Sequence, residues 1–185
     1  MTRAMTLTAL LVTALLAAAP PAKNPPPSPP EKLAADGKPA ASKADKTWEG
    51  FATPESVLYD VESDTYLVSN INGSPLAVDN NGFISRIAPE GEVTLKWIEA
   101  GKNGVTLNAP KGLAIAKPRM FCGILNRVRL FDVKTGKPLG EVAVPHATFV
   151  NDVAVGPDGT VYASDSGLKA GTKDLEPSGT DGVYV

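Results

Sequence analysis

Three short stretches of this 185-residue sequence set a polar pair at the entrance of an apolar, strand-like run: Pro54-Glu55-Ser56-Val57-Leu58-Tyr59, Pro110-Lys111-Gly112-Leu113-Ala114-Ile115 and Val150-Asn151-Asp152-Val153-Ala154-Val155. Glu55, Asn151 and Asp152 offer carboxylate and amide oxygens, which suit a hard dication such as Ca2+ or Mg2+ and not zinc or copper. A bound dication would polarise a carbonyl and lower the pKa of a water, with Asp152 as the candidate catalytic base. Lys111 either meets a substrate or pairs with Glu55 and neutralises the charge a metal requires. Against all four stands a purely structural reading, because polar residues at strand entrances also satisfy orphan backbone groups and begin turns.

Other chemistries find little support. A single cysteine, Cys122, and a single histidine, His146, make neither a Cys/His zinc cage nor an intrachain disulfide. His146 follows Val144-Pro145 and reads as a turn residue, and neither Ser-His-Asp spacing nor a Gly-x-Ser-x-Gly elbow is present. Asp79-Asn80-Asn81-Gly82 looks like a calcium loop, but its glycine comes two positions too early for an EF-hand, so it reads as a turn. Asp165-Ser166-Gly167 either faces the same mouth as the strand entrances or closes a hairpin. Cys122 lies in a strand pattern as a small apolar group, and Trp48, Trp97 and Phe131 read as packing between sheets. With 18 Lys and Arg against 20 Asp and Glu, a formal charge of -2 and a pI near 5.4, the chain lacks the basic footprint of a nucleic-acid binder.

What must position the polar pairs is a repeat. From Phe51 onward apolar residues alternate with period two and no helical stretch of useful length intervenes. Turn signals recur at Asn72-Gly73, Asn81-Gly82, Glu90-Gly91, Thr135-Gly136 and Asp158-Gly159. Each polar-pair strand is followed by a second one (Tyr66–Ser69, Met120–Gly123, Val161–Ser164) and a third (Gly82–Ile87, Arg127–Phe131, Gly182–Val185). Fourth strands are expected at Val93–Trp97 and Glu141–Val144. The entrances at residues 54, 110 and 150 are 56 and 40 residues apart, close to the roughly 40–50 residues of a four-stranded propeller blade, the first being stretched by the insert around Asn72 to Asn81. The expected fold is therefore all-β, a partial β-propeller of about three four-stranded antiparallel blades over residues 47–185. Propellers close with roughly four to eight blades, so this segment reads as the first half of a ring of about six. Truncation, or self-association with further copies, is expected. In a propeller the first strands run in one direction around the axis, so Glu55, Lys111, Asn151 and Asp152 are expected to gather at one mouth.

The N-terminus reads as an address and a spacer. Arg3 precedes the apolar run Leu7–Ala19, which falls short of the ~20 residues of a membrane span, and residues 1–19 are expected to be a secretory signal peptide. Seven of the eleven residues from Pro20 to Pro30 are proline, and Lys32 to Lys46 carries no large apolar residue apart from Leu33. Residues 20–46 are thus expected to be a disordered Pro/Ala/Lys-rich linker, and the domain to be secreted or periplasmic with no membrane span after cleavage.

Asn151 to Gly167 (NDVAVGPDGTVYASDSG), with Pro54 to Asp60 (PESVLYD) and Ala109-Pro110-Lys111-Gly112, resembles the six-bladed propellers of the gluconolactonase, senescence-marker-protein and luciferin-regenerating-enzyme superfamily. The resemblance implies a divalent metal, Ca2+ or another dication, held by a first-blade Glu that falls on Glu55. It places Asn151 nearer the substrate than the metal, sets further ligands beyond Val185, and implies hydrolysis of a lactone or small ester. Ser56-Val57-Leu58 departs from the Gly-Pro-aromatic run of catalytic relatives. So does Lys111 at its position, and so does Lys117 to Leu125 (KPRMFCGIL), where an aromatic strand ending in an acid is usual. The alternative function is a noncatalytic, NHL-like secreted propeller that binds a small-molecule or protein ligand. A redox or quinone-type propeller has no supporting signature.

Overall fold

The computed structural model describes residues 46–185. The expected signal peptide and all of the expected linker but its last residue lie outside the described residues. Trp48 to Val185 form one unit made of strands alone. No helix among the described residues is long and apolar enough to cross a membrane.

The first sheet is a meander of β1 (Pro54–Asp60), β2 (Thr65–Asn70), β3 (Phe83–Ile87) and β4 (Val93–Glu99), in the order β1-β2-β3-β4. The second repeats it with β5 (Leu113–Ala116), β6 (Arg119–Ile124), β7 (Arg127–Asp132) and β8 (Pro138–Ala143). The third contains β9 (Val150–Val155), β10 (Val161–Asp165) and β13 (Gly182–Tyr184), in the order β13-β10-β9. Every pairing is antiparallel, and the inner strands β1, β5 and β9 adjoin in succession. This is the blade architecture that the period-two pattern and the repeat spacing predict.

Alternation along the middle sheet explains how the blades cohere. Leu113, Met120, Cys122, Ile124 and Phe131 point to one side and pack with Leu67, Ile84 and Ile98 of the first sheet. Ala114, Phe121 and Val128, on the opposite face of the same strands, pack with Val150, Val153 and Ala163 of the third. Because successive strand residues face opposite ways, one sheet supplies two cores, and each core is a contact between blades. The outer face of the first sheet leaves Val57, Tyr59 and Tyr66 exposed, and the third sheet leaves Tyr162 and Val183 exposed.

Several local expectations are corrected. The fourth strand of the second blade runs Pro138–Ala143, starting earlier than the expected Glu141–Val144. A hairpin of β11 (Leu168–Ala170) and β12 (Leu175–Pro177) lies between β10 and β13 and was not foreseen. Asn81-Gly82 is not a positive-φ turn at its glycine. The left-handed residue is Asn80 at φ 51°, and Gly82 is required because a Cβ there would lie 2.3 Å from Pro110 Cδ. Asn80 Oδ1 accepts from Leu107 N–H and Asn108 Oδ1 accepts from Asn80 N–H, which fastens this loop to the connection between the first two blades. The divergent Lys117–Leu125 stretch contains all of β6, paired with β7 over Arg119–Ile124 and with β5 over Arg119–Cys122, and Lys117 bridges to Asp60 and Glu62 of the first blade. His146 is in a turn at φ 68°, and buried Cys122 has its thiol pushed up to about 12 by desolvation. Trp97 and Phe131 pack in the first inter-blade core, whereas Trp48 donates its indole N–H to Gly91 O in the β3–β4 turn of the first sheet.

Candidate functional site

All three inner strands begin with the same irregularity. In β1, Pro54 pairs with Asn70 and Ser56 with Ser69, so Glu55 is an extra residue without an opposite partner. In β9, Val150 pairs with Asp165 and Asp152 with Ser164, so Asn151 is the extra residue. Ahead of β5, Lys111 N–H donates to Gly123 O at 2.9 Å while Gly123 N–H donates to Gly112 O at 3.0 Å, again two residues facing one. A bulge bends the strand and re-aims one side chain relative to the regular alternation. Repeated in three neighbouring blades, it brings Glu55 and Ser56, Gly112, and Asn151 and Asp152 to one shared end, while the Lys111 side chain stays buried.

A cleft of about 210 Å³ lies at that end, lined by Glu55, Ser56, Gly112, Asn151 and Asp152. The structure thus brings together Glu55, Asn151 and Asp152, three of the four residues singled out from the sequence. The Gly112 N–H donates to Asn151 O at 2.9 Å, tying the second and third blades directly beneath the cleft. A Cβ on Gly112 would fall 2.1 Å from Asp152 Oδ1 and 2.5 Å from Asp152 Cα, so only glycine lets Asp152 lie over this wall. Asp152 Oδ1 also accepts from Val153 N–H at 2.9 Å, which holds the carboxylate at the strand entrance. Ser56 N–H donates to Ser69 Oγ. Ser56 and Gly112 are cleft residues that sequence reasoning passed over. Their signal was positional, since they occupy the same place in their repeats as Asp152.

Lys111 is elsewhere. Its side chain is fully buried, with Nζ donating to Ala109 O at 2.9 Å and lying 4.6 Å from the centre of the Phe149 ring. Desolvation lowers its pKa to about 8, although the nearby Cys122 and Glu55 oppose the shift. Glu55 is displaced in the other direction: desolvation raises its carboxyl above the usual range, Lys111 pulls it back, and the Asp152 charge raises it further. The cleft therefore holds two mutually repelling carboxylates that one buried ammonium only partly offsets.

Asp165, at the end of β10, neither faces the cleft nor closes a hairpin. Its carboxylate is buried and accepts from Phe149 N–H (2.8 Å), Thr148 N–H (3.2 Å), Gly167 N–H (3.0 Å) and Thr180 Oγ1 (2.8 Å). Burial pushes its pKa up, but these hydrogen bonds outweigh burial and hold it below the usual value. The residue locks the Thr148-Phe149 approach to β9 in place, and so positions the Asn151 bulge two residues further on.

The donor set at the cleft fits a hard dication in kind, with two carboxylates under mutual repulsion and an amide. Among the described residues no group of three or more His, Cys, Asp or Glu side chains comes together, so any such ion would rely on this pair and Asn151.

Fold and cleft together define an all-β chain of propeller architecture whose inner strand ends gather oxygen donors. No protein-family model and no curated protein matches the sequence. Among solved structures the chain is similar to a gluconolactonase from Xanthomonas campestris, with 12% identity, a TM-score of 0.47, and coverage of 83% of this chain and 53% of that one. It is also similar to the β-propeller domain of Cps50 (Swd1) from Myceliophteria thermophila, with 14% identity, a TM-score of 0.47, and coverage of 76% and 41%. A third is a luciferin-regenerating enzyme, with 13% identity, a TM-score of 0.45, and coverage of 67% and 44%. The chain spans about half the length of these structures.

Proposed function

We propose that the cleft binds a divalent cation, Ca2+ in the first instance, and that the exported protein hydrolyses a lactone or similar small ester there. One observation carries this reading: bulges at the entrances of β1 and β9 turn Glu55 and the Asn151-Asp152 pair into the same cleft, where the two carboxylates repel each other. Glu55 holds the cation, Asn151 orients the substrate through its amide, and Asp152 takes the proton of the attacking water. When bound, the cation supplies a Lewis acid for the ester carbonyl and acidifies a water.

Calorimetric titration of the full chain with Ca2+ tests the binding half. We expect saturable binding that weakens roughly tenfold or more in Glu55→Gln, since a carboxylate ligand is lost. Affinity should also rise with pH through the raised Glu55 pKa, because the proton competes with the cation for that carboxylate. Hydrolysis of a simple aliphatic lactone, followed by acid release, should vanish in Asp152→Asn and with chelator. Undiminished turnover in metal-free protein would reject the proposal.

A second reading is a noncatalytic binding module. The buried Lys111 favours it, because this fixed cation already offsets part of the Glu55 charge. It predicts cation or ligand binding without turnover of any lactone.

A further inference from the structure

A groove of about 710 Å³, sharing no residue with the carboxylate cleft, runs between the β2–β3 insert and the second blade. Arg127 and Arg129 are two apart on β7 and so share a face, and both reach the same carboxylate, Glu141 on β8. Arg127 Nη1 meets Glu141 Oε1 and Arg129 Nη1 meets Glu141 Oε2, each at 2.5 Å. Two guanidiniums against one carboxylate leave the cluster with one uncompensated positive charge. Arg129 is only 8% exposed, and its Nε–H is buried with no acceptor. Such a donor is costly to leave unmade, and the planar guanidinium of an arginine lining the groove suits a planar oxyanion. Around it, Asn108 and Thr148 add amide and hydroxyl groups, and Val78 from the insert forms an apolar lip. The groove volume falls within the range of small-molecule sites.

We propose that this groove is a second binding site, for a small organic monoanion whose carboxylate seats against Arg129, with Glu141 as the internal competitor for the same guanidinium. The charge decides the class: one excess positive charge matches one carboxylate, whereas a phosphate dianion would leave the groove negative. Glu141 titrates below its usual range, chiefly because of its hydrogen bond from Arg129, so it stays ionised and competing near neutral pH.

The test is a 15N NMR titration of the full chain with sodium propionate, holding ionic strength constant with sodium chloride and following the arginine Nε–H signals. We expect a saturable shift of Arg129 Nε–H together with the Thr148 amide, and a weaker response to inorganic phosphate. In Glu141→Gln the propionate dissociation constant should fall roughly tenfold, because a charge-assisted competitor is removed. In Val78→Asp, a change at a residue 79% exposed and so harmless to folding, binding should weaken several-fold. A linear, unsaturated response to 50 mM propionate (about the concentration where only very weak binding remains invisible), a tighter response to phosphate, or an affinity unchanged in Glu141→Gln would each overturn the proposal.

Discussion

Lys111 shows how far a single residue can depart from the role its position implies. The repeat puts it beside Glu55 and Asn151, but its side chain folds inward onto Ala109 O and the Phe149 ring. Its pKa, about 8 against an ordinary 10.5, makes the native state bind fewer protons than the unfolded chain between those values. Stability must therefore rise as the pH climbs from 8 toward 10.5, and below 8 the buried ammonium carries its full cost. Between pH 7 and 9.5 the native protein should gain about 2 kcal/mol relative to Lys111→Met, which removes the charge at similar volume. Urea unfolding of both proteins at the two pH values measures this, and parallel behaviour would contradict it. The identity of the polar pairs was legible in the sequence because residue type and repeat position suffice to locate them. The inward turn of Lys111 was not, because it depends on a ring and a carbonyl brought there by tertiary contacts.

Among the elements, the entrance to β9 matters most, because it carries two of the four cleft side chains, Asn151 and Asp152. It is held from outside itself by Asp165, whose carboxylate gathers two backbone N–H groups from the Thr148-Phe149 segment, one from Gly167 and one hydroxyl. Asp165→Ala should cost about 3 kcal/mol or more, because it orphans several buried donors at once. Since the native carboxyl titrates below its unfolded value, its stabilisation is complete above that unfolded value and is lost as the pH falls through the native one. Thermal melts of wild type and variant at pH 7 and pH 3 should accordingly converge on acidification. The strands themselves were readable from alternation and turn residues. The β11–β12 hairpin was not, because Leu168–Ala170 and Leu175–Pro177 are three residues each and mostly exposed, too short for a period to emerge. The bulges escaped notice too, since one extra residue changes the facing of side chains without changing the apolar pattern.

At the scale of the whole molecule, stability resides between sheets rather than within them, and Phe131 is central to the first of these contacts, fully buried beside Leu67, Ile84 and Ile98. Phe131→Ala should cost about 3–5 kcal/mol. Hydrogen exchange should then lose protection in the first two sheets while the β9–β10 ladder keeps it, and uniform loss across all three would show that the cores do not act separately. The sequence by itself determined the all-β repeat, the blade count and the candidate oxygen donors, because period-two alternation and repeat spacing are properties of the chain written out in one dimension. Tertiary structure alone decided which of those donors meet. Glu55 and Asp152 share a cleft because bulges, a bare glycine wall and a buried Asp165 turn distant strand ends toward one point, and Arg127 and Arg129 meet one carboxylate because β7 and β8 pair in a register that sets Glu141 opposite Arg129 and diagonal to Arg127.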